Sequence, residues 1–407
     1  MANSILTPDQ ITRESLRVLH EKLTFVGAVN KQYDSSFAST GAKIGDTLRI
    51  RKPAQFKVRR GIVMDAPVQD YVEQTVPLTV QEIVGVDLEF TDLDLTLELD
   101  DFSKRIIEPA MSRIAADIEQ DVLRTASGQS VVSAATAADL WKSILISQAY
   151  LDNLTTPRDN NRCVLIDTLM QVDLVDTLKG LFQDSSEISS QYREGMMGRT
   201  AGADFYQSSY IPTTETSPEA SFAIVSFSAG NPNSGSAAGA TMTITATGAG
   251  TIPKGTQFEL NNGTSDAYAV QPETKKKFVG QKVYVTAQED VVIAGAGAVV
   301  VPIAAPIISA NTDARQNISD APVTADALTA DLQKTLVFHK DFMTFASADL
   351  QLPRGTDMAS RQSFEGISMR LVRDYNIATS DFPVRFDVLY GTKVIRPEYG
   401  AVVVKGY

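Results

Sequence analysis

One cysteine, two histidines and a shortage of basic residues set the first limits on this 407-residue chain. Cys163, being alone, excludes an internal disulfide and fits a reducing compartment. Set in Arg162-Cys-Val-Leu-Ile-Asp167, it reads as a buried strand residue rather than a nucleophile. His20 and His339 stand far apart, which with a single cysteine removes most zinc sites and most Ser–His or Cys–His catalytic arrangements. No apolar run approaches the roughly 20 residues that cross a bilayer, so no membrane partner is expected. The first residues, Met-Ala-Asn-Ser-Ile-Leu-Thr-Pro-Asp, lack the basic-then-apolar layout of a secretion signal. With 37 Lys and Arg against 49 Asp and Glu, the net charge of −12 opposes any grip on a nucleic-acid backbone. An acidic protein can still enclose nucleic acid without binding it.

Catalytic, metal and cofactor sites are equally thin. Asp92, Asp94, Asp100 and Asp101 lack the glycine and closing glutamate of an EF-hand loop. The glycines between Gly195 and Gly202 neither follow a buried strand nor open a helix, as a dinucleotide fingerprint requires. No residue is therefore assigned to catalysis, to a metal or to a cofactor.

What is present begins with a helix. From Asp101 to Arg124, Ile106, Ala110, Ile114, Ile118 and Val122 recur at helical period, with Ile107, Met111 and Ala115 beside them. Arg113, Asp117, Gln120 and Arg124 fall on other faces. Pro109 suits a first turn, so the long helix is expected to start near Glu108. Before it, residues 1–30 read as an amphipathic helix with Thr7-Pro8-Asp9 at its start, needing a surface to dock on. Ile44-Gly-Asp-Thr-Leu-Arg-Ile-Arg-Lys-Pro53 alternates as a strand, and Gln74 to Val84 can return beside it as a long hairpin. This hairpin carries Arg49, Arg51, Lys52, Lys57, Arg59 and Arg60 and few large apolar residues, so it is expected to lie on another surface.

Further on the pattern mixes helix and strand. Thr136 to Asn153 reads as a helix with Leu140, Trp141, Ile144, Leu145 and Leu151 inward; a short strand, Cys163 to Ile166, and a helix over Thr168 to Phe182 follow. From about 221 to 325 the chain turns Gly-, Ala-, Thr-, Ser- and Val-rich with short alternating runs, the signature of a small β-barrel or sandwich inserted into the host. Helix is expected to return over Thr324 to Leu332, followed by strands to the end. The fold class is α+β.

Taken together, Ile44 to Pro53, Asp101-Phe-Ser-Lys-Arg-Ile-Ile-Glu-Pro-Ala110, Gly195 to Ser208, Ser368-Met-Arg-Leu-Val-Arg-Asp-Tyr375, Asp387-Val-Leu-Tyr-Gly391 and Arg396-Pro-Glu398 resemble the major capsid proteins of tailed bacteriophages. The closest likeness is to the coat-protein branch of short-tailed Salmonella phages, which carries an inserted β domain. The resemblance lies in the order and spacing of these pieces and covers most of the chain outside the insertion.

It implies the Hong-Kong-97-type capsid fold, laid out as an N-terminal arm (1–35), an extended loop (36–85) and a peripheral domain (86–128) with its spine helix at 101–125. The axial domain would take 129–220, the inserted β domain 221–325, and the closing axial and peripheral strands 326–407. In the spine, Ile106, Ile107, Met111, Ile114, Ile118 and Val122 would be packing residues. The six basic residues of the loop would meet acidic surface on a neighbouring copy. The resemblance further implies hexamers and pentamers of an icosahedral head, a scaffolding protein and a portal, a possible decoration protein, and enclosed DNA held without sequence-specific contacts. Such a chain assembles in the host cytoplasm and resides in the virion. One family variant crosslinks its subunits through lysine and asparagine. Lys52 and Lys57 lie in the loop here, but no carboxylate can be assigned to activate them, so a non-covalent shell is expected. Two rival readings are a bacterial nanocompartment shell of the same fold and a carboxylate-dependent α/β enzyme.

Overall fold

The computed structural model describes residues 8–31, 47–52, 56, 61–62, 74–91, 107–129, 131–134, 140–178, 199–213, 221–228, 240–261, 267–303, 307–309, 316–327, 332–377 and 381–406. The chain divides into two compact units, one from 1–49, 77–123 and 343–393, the other from 50–76, 124–342 and 394–407.

In the first unit a five-stranded antiparallel sheet forms the frame. Asp381–Val394 pairs with Glu82–Thr91 over ten residues, from Asp381 opposite Thr91 to Tyr390 opposite Glu82. Ile367–Arg373 and Met358–Phe364 extend the sheet on one side of Asp381–Val394, and Met343–Ser347 joins it too. The strand Glu82–Thr91 corrects one expectation. The run from Gln74 does not continue as a single hairpin arm to Val84. Gln74–Thr79 pairs with Thr47–Lys52, pairing stops at Val80 and Gln81, and the chain then changes partner. Alternation alone cannot show this, because both strands alternate and only the partner differs.

The N-terminal segment is two helices, α1 (Pro8–Lys22) and α2 (Phe25–Ala28). Both dock within the first unit. Leu16 and Leu19 of α1 are buried, and the Ser360 hydroxyl donates to the Asp9 carboxylate at 2.7 Å. Beyond α2, Asn30 bridges to Thr344 in parallel.

Helix α3 (Glu108–Gln129) is about 33 Å long at 1.5 Å per residue, with residues 108–123 counted in the first unit and 124–129 in the second. It starts where Pro109 allows, with proline in the first turn, and continues four residues beyond the expected end at Thr125.

The second unit's host portion is a six-stranded mixed sheet in the order Val131–Ala134, Gly400–Gly406, Leu332–His339, Arg162–Ile166, Ala203–Gln207, Arg199–Thr200. Helices α4 (Leu140–Asn153) and α5 (Thr168–Leu178) cover it, with Ile144, Leu151, Met170 and Leu174 against Val164, Ile166, Val337 and Val403. Every residue of Arg162–Ile166 is buried, Cys163 among them. Leu145 departs from expectation: it is 39% exposed, because it follows Ile144 by one step and turns about 100° off the buried stripe.

The insertion is all strand among its described elements. Its main sheet orders Tyr284–Thr286, Gln257–Asn261, Thr324–Ala327, Ser221–Ser228, Thr241–Ala246 and Gly297–Pro302, around a core that includes Met242, Ile244, Ile252, Phe258, Leu260 and Val301. The expected helix over Thr324 to Leu332 is absent. Thr324–Ala327 is a strand hydrogen-bonded on both sides, to Ser221–Ser228 and to Gln257–Asn261, and Leu332 opens the next strand. Alanine-rich Thr-Ala-Asp-Ala favours helix on propensity, but two flanking strands supply more backbone partners than an isolated short helix can.

Candidate functional site

The ribbon Thr47–Lys52 with Gln74–Thr79 carries the basic charge expected to meet another surface. Along Thr47–Lys52, Arg49 and Arg51 are exposed, Ile50 between them is buried, and Lys52 is half-buried. Strand alternation thus places two guanidinium groups on one face and the isoleucine on the other. Lys57, Arg59 and Arg60 lie outside the described residues.

The base of this ribbon is fixed to the first unit by a close approach of two backbones. A Cβ on Gly391 would stand 2.2 Å from the Thr79 carbonyl oxygen and 2.9 Å from the Val80 Cα. Only glycine leaves room there, and Leu78 and Val80 beside it are fully buried. Gly85 has the same relation to the strand opposite, where a Cβ would meet the Phe386 carbonyl at 2.4 Å.

Ile107, just before helix α3, and Met111, Ile114, Ile118 and Val122 within it are each at most 3% exposed; Ile106 lies outside the described residues. Between Ala115 and Leu123 on the same buried face stands a residue that the sequence reading passed over. Glu119 is fully buried, and its Oε1 accepts the Phe25 backbone N–H at 2.6 Å, with the N–H groups of Thr24 and Val26 also directed at the carboxyl. Burial pushes its pKa up to about 7, against the opposing pull of those three N–H donors. The side chain thereby ties α2 to α3 inside the first unit. The signal was present: Ala115, Glu119 and Leu123 follow one another at i+4, so a carboxylate falls on an apolar face.

A second tie joins α3 to the sheet. The buried Tyr390 hydroxyl donates to Asp121 Oδ2 at 3.1 Å, and its ring stacks on Phe345 at 5.6 Å. Burial, then the Asp121 charge, raises the phenol's pKa, keeping it a donor. Across the same sheet Arg370 pairs with the buried Asp387, and Arg385 with Asp87 at 2.6 Å. These pairs fix strand register. Among the described residues no group of three or more His, Cys, Asp or Glu could hold a metal, and no helix is long and apolar enough to cross a membrane.

Against known proteins, the chain is similar to solved phage structures of low identity. Mycobacterium phage Che8 aligns over 94% of this chain and 90% of its own, at 12% identity and a TM-score of 0.47. The capsid of cyanophage P-SCSP1u aligns over 89% and 84%, at 10% identity and 0.43. The mature capsid of bacteriophage PhiM1 aligns over 88% and 83%, at 9% identity and 0.43. No curated protein matches the chain. The family comparison reaches further: residues 9–406 match the P22 coat protein, gene protein 5. With its helices, basic ribbon, long α3 and separate sheets, the molecule has an α+β fold, and the role of the matched coat-protein family is structural. The chain belongs to the P22 coat-protein family and is a capsid protein of a bacteriophage virion.

Proposed function

We propose that copies of this coat protein close into hexamers and pentamers of an icosahedral head around double-stranded DNA, joined without covalent crosslinks. The observation that carries this reading is the basic ribbon: Arg49 and Arg51 are exposed on a two-stranded element of a chain with a net charge of −12. A ribbon of this size has little core of its own and gains most from lying on another surface. Acidic surface on a neighbouring copy is the partner its charge selects, fixing orientation and register more than raw affinity. Many such contacts, each weak, sum to a stable closed shell. The six loop cations, Arg49, Arg51, Lys52, Lys57, Arg59 and Arg60, are its contact residues, and the buried stripe of α3 is packing.

The same reading has the protein assemble in the host cytoplasm on a scaffolding protein, with a portal at one vertex, and expand as DNA enters. The insertion offers a surface for a decoration protein. The acidic balance suits a wall that holds DNA without binding its sequence. The test is charge reversal of Arg59 and Arg60 to Glu, with Arg49 and Arg51 as a second pair, expressed with the scaffold. Negative-stain microscopy is expected to show shells lost while circular dichroism reports a folded chain. Normal shells from both pairs would remove the ribbon's role.

A further inference from the structure

In the second unit, a cleft between the last turns of α3, the Pro253–Thr256 turn of the insertion and the strand Leu332–His339 gathers cations without an acid. Arg124, Lys254 and Lys334 line it, together with Ser127 and Thr213. Among the described residues that line it there is no carboxylate. Beside it, Asp290 Oδ1 accepts the Lys254 backbone N–H at 2.6 Å. Arg124 and Lys254 are exposed, whereas Lys334 is only 5% exposed, set in the sheet opposite Val404.

Lys334 makes no hydrogen bond or ion pair among the described residues. A buried ammonium without a counter-ion is costly, and here a second cation faces it. Burial first, then the Arg124 charge, brings its pKa down to about 8. The C-terminus of α3 contributes only about half a negative charge, against three whole positive ones. The free space is about 30 Å³. At about 10–15 Å³ per water that is room for about two waters, which suits one compact anionic group inside the cleft, whether free or carried by a larger molecule.

We infer that this cleft binds a phosphate-class oxyanion, either free inorganic phosphate or a phosphate of a nucleic-acid backbone. The Arg124 fork and the ammonium groups of Lys254 and Lys334 are its ligands. Three cations lining one cleft match the charge of such a group, with the Thr213 hydroxyl at its edge and the Ser127 hydroxyl already donating to the Arg124 carbonyl at 3.2 Å.

The test uses the full-length, unassembled chain with its lysines carrying carbon-13 methyl groups, in phosphate-free buffer at constant ionic strength. Its outcome is therefore independent of shell formation. The Lys334 resonance, assigned by its loss in Lys334→Met, is titrated with pH alone, with inorganic phosphate, and with a short DNA duplex. The expected result is a rise of about one unit in the Lys334 midpoint with at least one probe, the size of shift a nearby opposite charge produces. Movement with phosphate identifies a free ion, and movement with the duplex alone identifies a backbone phosphate. Lys254→Met, at an exposed turn position that leaves the core intact, is expected to weaken the apparent affinity about tenfold, the loss of one charge-assisted contact. An unmoved Lys334 midpoint with both probes overturns the site. So does an equal response in Lys254→Met and in Arg124→Gln.

Discussion

Two sets of added segments in this coat protein solve the same problem in opposite ways. The insertion brings its own interior, with Met242, Ile244, Phe258, Leu260 and Val301 enclosed by six strands and two smaller pairs. The ribbon Thr47–Lys52 with Gln74–Thr79 and the helices α1 and α2 bring almost none. They borrow burial from the body, through Leu16, Leu19, Phe25 and Val26 in the helices and Leu78 in the ribbon, and local devices place them: the Gly391 close approach, the buried Glu119 carboxyl and the Asn30 bridge. A self-contained graft fails only when its core fails, whereas a borrowed attachment depends on the surface beneath it.

The comparison is broken most severely at Phe258. Phe258→Ala is expected to cost about 3–5 kcal/mol through lost burial and the cavity left behind, read by urea unfolding. A loss under about 1 kcal/mol would mean that the insertion does not rest on this core.

Next comes the acid tie of α2. The carboxyl of Glu119 rises from its ordinary 4.5 to about 7 on folding, so the folded chain holds a proton that the unfolded chain releases. Its contribution is full below pH 4.5 and is lost as pH rises through 7, a change on the order of 3 kcal/mol at 1.36 kcal/mol per unit. Glu119→Gln is expected to flatten this part of the profile between pH 5 and 8. Parallel profiles for the two proteins would show that Glu119 is not the titrating group.

Gly391→Ala is expected to destabilise the first unit by about 1–3 kcal/mol, since the Thr79 carbonyl must move to admit a methyl group. A neutral result in thermal unfolding would show that the ribbon's base is loosely held. The smallest effect on the monomer belongs to Arg49→Glu with Arg51→Glu, within about 0.5 kcal/mol because both side chains are exposed. Shell yield, rather than monomer stability, is where that pair is expected to act.

Much of the local structure was legible, and the failures have physical causes. The start of α3 could be read because proline restricts backbone geometry locally, and the burial of Cys163 because a short apolar run between polar ends has few alternatives. Thr324–Ala327 was misread as helix because its strand state depends on Ser221–Ser228 and Gln257–Asn261, which lie up to about a hundred residues away. The division of the Gln74 run at Val80 depends likewise on Asp381–Val394. Of the candidate site, the basic run was visible as composition, while Glu119 was overlooked amid an otherwise apolar stripe. The cleft around Lys334 draws on three distant segments and could not be read from any one of them.

The first and last strands of the insertion are hydrogen-bonded neighbours, with Ser221 opposite Asp326 and Ala223 opposite Thr324. The chain therefore departs and returns across one antiparallel pairing distance, about 5 Å. To the host, a hundred residues occupy the span of a tight turn. A module joined in this way can be enlarged, trimmed or exchanged across lineages while the strands on either side keep their spacing. That module can thus diversify without renegotiating the spacing of the strands that carry it.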